Sequence, residues 1–202
     1  MDLYRYDASL RKKGFAVIAG VDEAGRGPIA GPVVAAAAVL PPSARIEGLR
    51  DSKLVPEKER AALFWDVLCT AEALGVGIVE HDRIDAVNIL RATREAMQLA
   101  LEDLPRKPHL LVIDAVALPA APIEQISPFK AELKSASVAA ASIVAKYVRD
   151  AIMLRYDEIY PAYNFKKHKG YCTREHLERI SRYGVCPIHR KSYGKVMTMN
   201  LF

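Results

Sequence analysis

Hydrophobic positions alternate between short unbroken runs and longer periodic stretches. Residues 15–22 and 32–40 are apolar runs bounded by Gly and Pro, the pattern of buried strands, with a tight Gly-rich connection over residues 24–31 between them. Residues 57–74 turn helical: Leu63, Val67 and Leu74, with Phe64, Leu68 and Ala71, make one apolar face, and Gly75 and Gly77 are expected to end the helix. A strand over residues 76–80 should follow, then a helix over 82–103 and a buried strand over 109–114 whose last residue is an acid. Over residues 137–160 the positions Val138, Ala141, Ala145, Val148, Ile152 and Ile159 predict a long helix with one buried stripe. Ser142, Lys146 and Asp150 share a different face of it. A loop rich in Pro, Tyr and Lys occupies residues 160–172; Thr173 then caps a helix with Glu175 in its first turn and Gly184 just past its end. From Val185 the chain reads as an irregular tail. Strands and helices alternate, so the class is α/β, with helical elements gathered toward the C-terminus.

A chain of 202 residues with 51% hydrophobic content can bury one substantial core, so a single domain over residues 1–202 is expected. The net charge of +5 is unevenly placed. Residues 130–202 hold 14 Lys and Arg against 6 Asp and Glu, whereas residues 1–129 hold 15 against 18. A basic C-terminal third suits a partner made of phosphates, because binding releases the counterions condensed on them; a solvated basic face accounts for charge alone equally well. Cys69, Cys172 and Cys186 form no C-x-x-C pair and cannot all pair internally, which argues against a disulfide framework and for a reducing compartment. No apolar signal core opens the chain and no apolar run could span a bilayer, so a soluble cytoplasmic protein with no membrane partner is expected.

Candidate chemistry begins with Asp22 and Glu23, which end an apolar strand and lead into Ala24-Gly25-Arg26-Gly27-Pro28. Adjacent acids at a buried strand end are costly without a cation. Successive side chains of a strand point to opposite faces, so both can serve one site only if the strand bends at about this pair. Asp114 ends a second apolar strand and could lie beside Asp22 at one edge of the sheet. Converging carboxylates repel and need divalent cations to stay ionised together; hard oxygen ligands favour Mg²⁺ or Mn²⁺ over zinc. Any one of these acids taken alone is more simply read as a turn former or helix cap; the Asp-Glu pair leading into Gly-Arg-Gly shifts the balance.

The run Val21-Asp22-Glu23-Ala24-Gly25-Arg26-Gly27-Pro28 resembles the opening signature of the ribonuclease HII family, and further matches follow in the family's order. They are Asp51-Ser52-Lys53, Asn88-Ile89-Leu90, Ile113-Asp114, Ala141-Ser142-Ile143-Val144-Ala145-Lys146 with Arg149-Asp150, Lys167-His168-Lys169-Gly170-Tyr171, and Pro187-Ile188-His189-Arg190 with Ser192. The resemblance covers residues 17–193. It implies a ribonuclease H-like fold, a central mixed β-sheet flanked by helices, with four acids binding two divalent ions, Mg²⁺ or Mn²⁺. Three of the four are Asp22, Glu23 and Asp114. The fourth is usually an Asp in a Lys-Gly-Asp or Lys-Ala-Asp triplet; here the triplet is Lys130-Ala131-Glu132, so Glu132 keeps the charge on a side chain one methylene longer. Asp150 is an alternative fourth acid by composition, but its spacing from Lys146 favours a helix-surface salt bridge.

The implied partners are RNA/DNA hybrids and duplex DNA containing ribonucleotides, bound with help from the basic part over residues 137–202, and the implied state is a monomer. The implied reaction is in-line hydrolysis by two ions roughly 4 Å apart, one activating water and the other stabilising the leaving 3′ oxygen, with 5′-phosphate and 3′-hydroxyl ends. The 2′-hydroxyl, which separates RNA from DNA, would be read by the backbone of Gly25, Arg26 and Gly27 together with Tyr171. Lys53, Ser142, Lys146 and Lys169 are candidates for phosphate contact, and Lys166, Lys167 and Lys169 interleave with Tyr163, Phe165 and Tyr171 in a mix that suits a nucleic-acid backbone. Three alternatives stand beside this reading. A non-catalytic binding module would not need strand-end acids. A zinc site of Cys172, His176, Cys186 and His189 matches no finger spacing. A ribonuclease HIII-like enzyme is suggested by Glu132 and opposed by the short segment, residues 1–21, ahead of Asp22.

Overall fold

The computed structural model describes residues 2–114 and 116–199. In chain order the elements are α1 (Leu3–Lys12), β1 (Ile18–Ala24), β2 (Val33–Val39), α2 (Glu57–Thr70), β3 (Ala73–Val79), α3 (His81–Val87), α4 (Ile89–Glu102), β4 (Leu110–Ile113), β5 (Glu124–Ile126), α5 (Ala136–Ile159), α6 (Phe165–His168), α7 (Arg174–Tyr183) and α8 (Gly194–Met199). The five strands form one mixed sheet in the order β3-β2-β1-β4-β5. β1, β2 and β3 pair antiparallel, while β4 runs parallel to β1 and β5 parallel to β4.

Alternation along β2 explains how the sheet is covered. Ala35 and Ala37 pack with Ala92, Ala96 and Ala100 of α4 on one face, and Ala36 and Ala38 pack with Ala136, Ala139, Ala140 and Ala141 of α5 on the other. Small residues on both sides of each contact bring the helices close to the strands. The first ten residues of α5, Ala136 to Ala145, are all buried, so this half is covered all round rather than along the single stripe its spacing suggested. An apolar stripe signals one covering layer, and here a sheet, α1 and α2 all close over the same helix.

Several boundaries differ from the sequence expectation for identifiable reasons. The helix expected to end at Gly75 and Gly77 ends at Thr70, and both glycines lie inside β3. They are needed there because α4 crosses so closely that a methyl on Gly77 would fall 1.9 Å from the Ala96 carbonyl oxygen. The helix expected over residues 82–103 is broken at Asn88, which sits at φ 72° and accepts hydrogen bonds from the Leu90 and Arg91 N–H groups to cap α4. α1 and β5 were not anticipated; β5 is a three-residue edge strand, too short to show a period. The capped helix after Thr173 is present as expected: the Thr173 side chain accepts from the His176 N–H and Gly184 closes the end at φ 75°.

The segment after Val185 is not a tail. Cys186, Ile188 and Val196 join Ile29, Ala30, Met153, Tyr163, Phe165 and Ile180 in a buried cluster, and His189 forms a β-bridge with Ala30. Its backbone thus buttresses the loop that follows β1. Periodicity could not reveal this, because the segment is held by isolated side chains rather than by a repeating face. Among the described residues no helix is long and apolar enough to cross a membrane.

Candidate active site

β4 pairs with β1 only as far as Val21 and Ile113, whereas β1 continues against β2 to Ala24. The sheet therefore opens on the β4 side beside Asp22, Glu23 and Asp114. β1 has no bulge at Asp22–Glu23, where a bend was expected: the β1–β2 register advances one for one through both residues. Both side chains nonetheless line the cleft, because it lies at an open sheet end that can be reached from either face.

The cleft has a volume of about 530 Å³. Its wall is formed by Asp22, Glu23 and Asp114, the backbone of Ala24 to Gly27, Ser52 and Lys53, Ile89 at the start of α4, Lys146 of α5, and Tyr171. The carboxylate of Asp114 accepts the Ala131 N–H at 3.1 Å, which brings the Lys130–Glu132 turn against the acids; Lys130 takes up a left-handed conformation at φ 55° to make that turn. Glu132 is buried at 6% exposure. Asp51, whose side chain accepts the Lys53 N–H at 3.1 Å, is buried nearby and adds a fifth negative charge.

Electrostatics mark this cluster as only partly compensated by Arg26 and Lys53. Burial, reinforced by Glu23 and Asp114, holds the Asp22 carboxyl well above the usual range. Burial also raises Glu23, against the opposing pull of Arg26, whose guanidinium donates to its carboxylate at 3.1 Å. Glu132 is raised by burial, then by Asp114 and Asp51. Burial opposes the charge on Lys53, yet the carboxylates of Asp51, Asp22, Glu132 and Asp114 together hold its pKa above the ordinary lysine value.

These residues fit a hard divalent cation. The donors are all carboxylate oxygens, and Glu23 Oε2 and Glu132 Oε2 are buried without a hydrogen-bond partner. Among the described residues no three acids, imidazoles or thiols stand close enough to enclose an ion on their own. The acids are electrostatic neighbours rather than a closed set of ligands.

Other expected residues take different places. Ser142 is 1% exposed; its hydroxyl donates to the Ala139 carbonyl and accepts the Ser52 N–H, so it supports the Ser52–Lys53 turn from behind and does not face the cleft. Lys169 is also buried, its ammonium paired with Glu57 at 2.9 Å, away from the cleft. Tyr163 and Phe165 are core residues, and Lys167 pairs with Glu175. Of the basic and aromatic set only Tyr171 reaches the cleft, 43% exposed, with Lys146 Nζ 5.8 Å from its ring centre. The Lys146–Asp150 bridge is present at 2.6 Å, but it is not a surface pair: Arg60 of α2 closes over Asp150 at 2.9 Å and buries it. Cys186, His176 and His189 lie inside the C-terminal cluster and hydrogen-bond to one another and to the backbone.

Two residues given no role from sequence organise the cleft. Arg149 and Arg190 are both fully buried. Arg190 donates to the carbonyls of Gly25, Arg26, Gly31 and Pro32 and to the Tyr193 hydroxyl; Arg149 donates to those of Ala30, Pro32 and Lys169. Hydrogen bonds from a charged donor contribute about 1.5–3 kcal/mol each, so only such dense donation to carbonyls can offset the cost of burying guanidinium without a carboxylate. The signal was the occurrence of both arginines in family-like blocks, with no periodicity to show where they point.

The sheet order and the strand-end acids gathered at one cleft define an α/β protein of ribonuclease H-like fold. The crystal structure of ribonuclease H2 from Pyrococcus horikoshii OT3 superposes with a TM-score of 0.77 at 28% identity, over 92% of this chain and 97% of that one. The Bst ribonuclease HIII structure solved with Mn²⁺ shares the fold, with a TM-score of 0.68 at 18% identity over 92% of this chain and 69% of its own. A family profile described as Ribonuclease HII matches residues 19–196, and the chain belongs to that family. Ribonuclease HII of Acetivibrio thermocellus is 49% identical over 195 residues, which cover 96% of this chain and 76% of the relative. That of Listeria innocua is 47% identical over 201 residues, 100% of this chain and 77% of the relative. The activity is that of an endoribonuclease of the ribonuclease H type.

Proposed function

We propose that the enzyme cuts the RNA strand of RNA/DNA hybrids, and the 5′ side of single ribonucleotides embedded in duplex DNA, with Mg²⁺ or Mn²⁺ held by Asp22, Glu23, Asp114 and Glu132. The observation that carries this reading is one cleft that combines three strand-end acids with the Gly25–Gly27 backbone, two lysines and Tyr171. Divalent ions, when bound there, supply activation of water and stabilisation of the leaving oxygen. The protein's own groups do the rest. Lys53 and Lys146 attract the phosphates, the N–H groups of Gly25 to Gly27 meet the 2′-hydroxyl, and Tyr171 offers a flat face to the adjoining sugar. Glu132 stands in the aspartate's place on its own turn, tied to Asp114 through the Ala131 N–H, and its buried Oε2 has no hydrogen-bond partner to compete with a cation.

The test is incubation of end-labelled DNA duplex carrying one ribonucleotide with the enzyme and Mg²⁺, Mn²⁺ or chelator. A metal-dependent cut 5′ to the ribonucleotide, leaving 3′-hydroxyl and 5′-phosphate ends, is expected. Binding without cleavage under either metal would overturn the catalytic reading in favour of a binding module.

A further inference from the structure

The loop from Gly25 to Pro32 is built inside out. Its carbonyls at Gly25, Arg26, Ala30, Gly31 and Pro32 point inward to Arg149 and Arg190, two side chains contributed by α5 and by the segment after α7. The N–H groups of Gly25, Arg26 and Gly27 meet no backbone acceptor among the described residues, and these three residues line the cleft. Gly25 stands at φ 103°, and a methyl there would fall 2.3 Å from Arg149 Nε, so the arginine fixes the loop at close range. Arg149 also reaches the second reader: its guanidinium carbon lies 5.8 Å from the centre of the Tyr171 ring and its Nη1 donates to the Lys169 carbonyl two residues earlier.

We propose that Arg149 and Arg190 are positioning residues for ribonucleotide recognition: they hold the loop carbonyls away from the cleft, so that its free N–H donors and Tyr171 are set at one spacing around a 2′-hydroxyl. Neither guanidinium touches substrate. The reason for a charged clamp is geometric. A carbonyl-rich loop left to itself would turn oxygens toward an incoming nucleic acid, where they would repel phosphate; guanidinium, with five donors in a fixed plane, removes several at once where lysine cannot. Arg190 uses this capacity fully, with Nε, Nη1 and Nη2 distributed over four carbonyls and the Tyr193 hydroxyl. The hydroxyl of Tyr193 in turn donates to the Arg26 carbonyl at 2.8 Å, so it extends the clamp at its outer edge.

The inference rests on the proposed reading of a ribonucleotide by this loop, and one titration separates the two. Affinities are measured with Ca²⁺ in place of Mg²⁺, so that binding is observed without turnover, for a DNA duplex with one ribonucleotide and for the same duplex in all-DNA form. The wild-type enzyme should prefer the ribonucleotide duplex; no preference would remove the loop reading and the inference with it. Arg149→Lys and Arg190→Lys should each reduce that preference at least tenfold while the all-DNA affinity stays within about threefold of wild type. Equal losses on both duplexes, or a preserved preference, would leave the loop reading intact and overturn the role of the arginines. Should the lysine variants not fold, Tyr193→Phe decides: it removes only the outer edge of the clamp and should lower the preference about threefold with the all-DNA affinity unchanged, and an unchanged preference would overturn the proposal.

Discussion

The Ser142 hydroxyl accepts the backbone N–H of Ser52 at 3.1 Å, which ties the middle of α5 to the turn that presents Lys53 to the acids. Ser142→Ala leaves that N–H buried and unpaired, a cost of about 1–3 kcal/mol. Because the turn carries Lys53, we expect a several-fold rise in KM for duplex substrate and a melting temperature lower by a few degrees. Steady-state kinetics with a calorimetric scan check this; a large fall in kcat at constant KM would mean the serine acts on the chemistry itself.

Asp22→Asn should abolish turnover, by at least about a thousandfold, while duplex affinity measured in Ca²⁺ stays near wild type. It should also raise the melting temperature of the metal-free enzyme, because the ionised carboxylate is held at 6% exposure beside Glu23 and Asp114. Binding of Mn²⁺ should stabilise the wild-type protein and stabilise the variant less. A variant melted with and without metal that behaves like wild type would remove Asp22 from the ion site.

Glu132→Gln should lower kcat by two orders of magnitude or more, and Glu132→Asp should retain activity within about tenfold. Its buried, unpartnered Oε2 is available to a cation, and a shorter carboxylate on the same turn still faces Asp114. Equal activity of the Gln and wild-type enzymes would take Glu132 out of the catalytic set and direct attention to Asp51.

Tyr171→Ala should weaken the preference for an RNA-to-DNA step by about tenfold, whereas Tyr171→Phe keeps the ring and should change it little. The ring is half exposed at the cleft mouth, with Lys146 and Arg149 each 5.8 Å from its centre. Cleavage mapping on a single embedded ribonucleotide distinguishes the two substitutions.

The outline of this enzyme was legible wherever one physical signal dominated. Asp22, Glu23 and Asp114 stood out because a charge at the end of an apolar strand conflicts with burial, and the α7 cap was evident because Thr173, Glu175 and Gly184 each satisfy a separate helix-end requirement. What stayed hidden was decided by tertiary contact. Gly75 and Gly77 look like helix terminators until α4 is laid across β3, and Ser142 and Lys169 have the chemistry of phosphate ligands but lie under α2 and its neighbouring turn. Arg149 and Arg190 were the hardest to place, because an arginine in sequence reads as a surface charge and only a loop with inward carbonyls can bury one.

Acid should unfold the enzyme through a pair of histidines behind Tyr171. The hydrogen-bond pattern assigns the Cys186 N–H as donor to His189 Nδ1, His189 Nε2–H as donor to His176 Nε2 at 3.1 Å, and His176 Nδ1–H as donor to the Tyr171 carbonyl at 2.9 Å, so both rings are neutral. Burial depresses His176 to about 3 and His189 to about 4, and each is further lowered by the neighbouring His168. Unfolded histidine has a pKa near 6.5, so above that value neither state is protonated and the pair has no pH-dependent effect. As pH falls below about 6.5 the unfolded chain takes up two protons that the folded chain refuses, and stability declines down to the folded values near 4 and 3. Protonation of the raised carboxyls of Asp22, Glu23, Glu132 and Asp7 on acidification works in the opposite sense, so His176→Gln is read against its own parent in an Asp22→Asn background, where the largest of these opposing effects is removed and the others are shared by both proteins. There the melting temperature should drop between pH 7 and pH 5, and His176→Gln should flatten that drop by about one proton's slope. A His176→Gln protein with the same pH dependence as its parent would show that the relay is not what limits stability in acid.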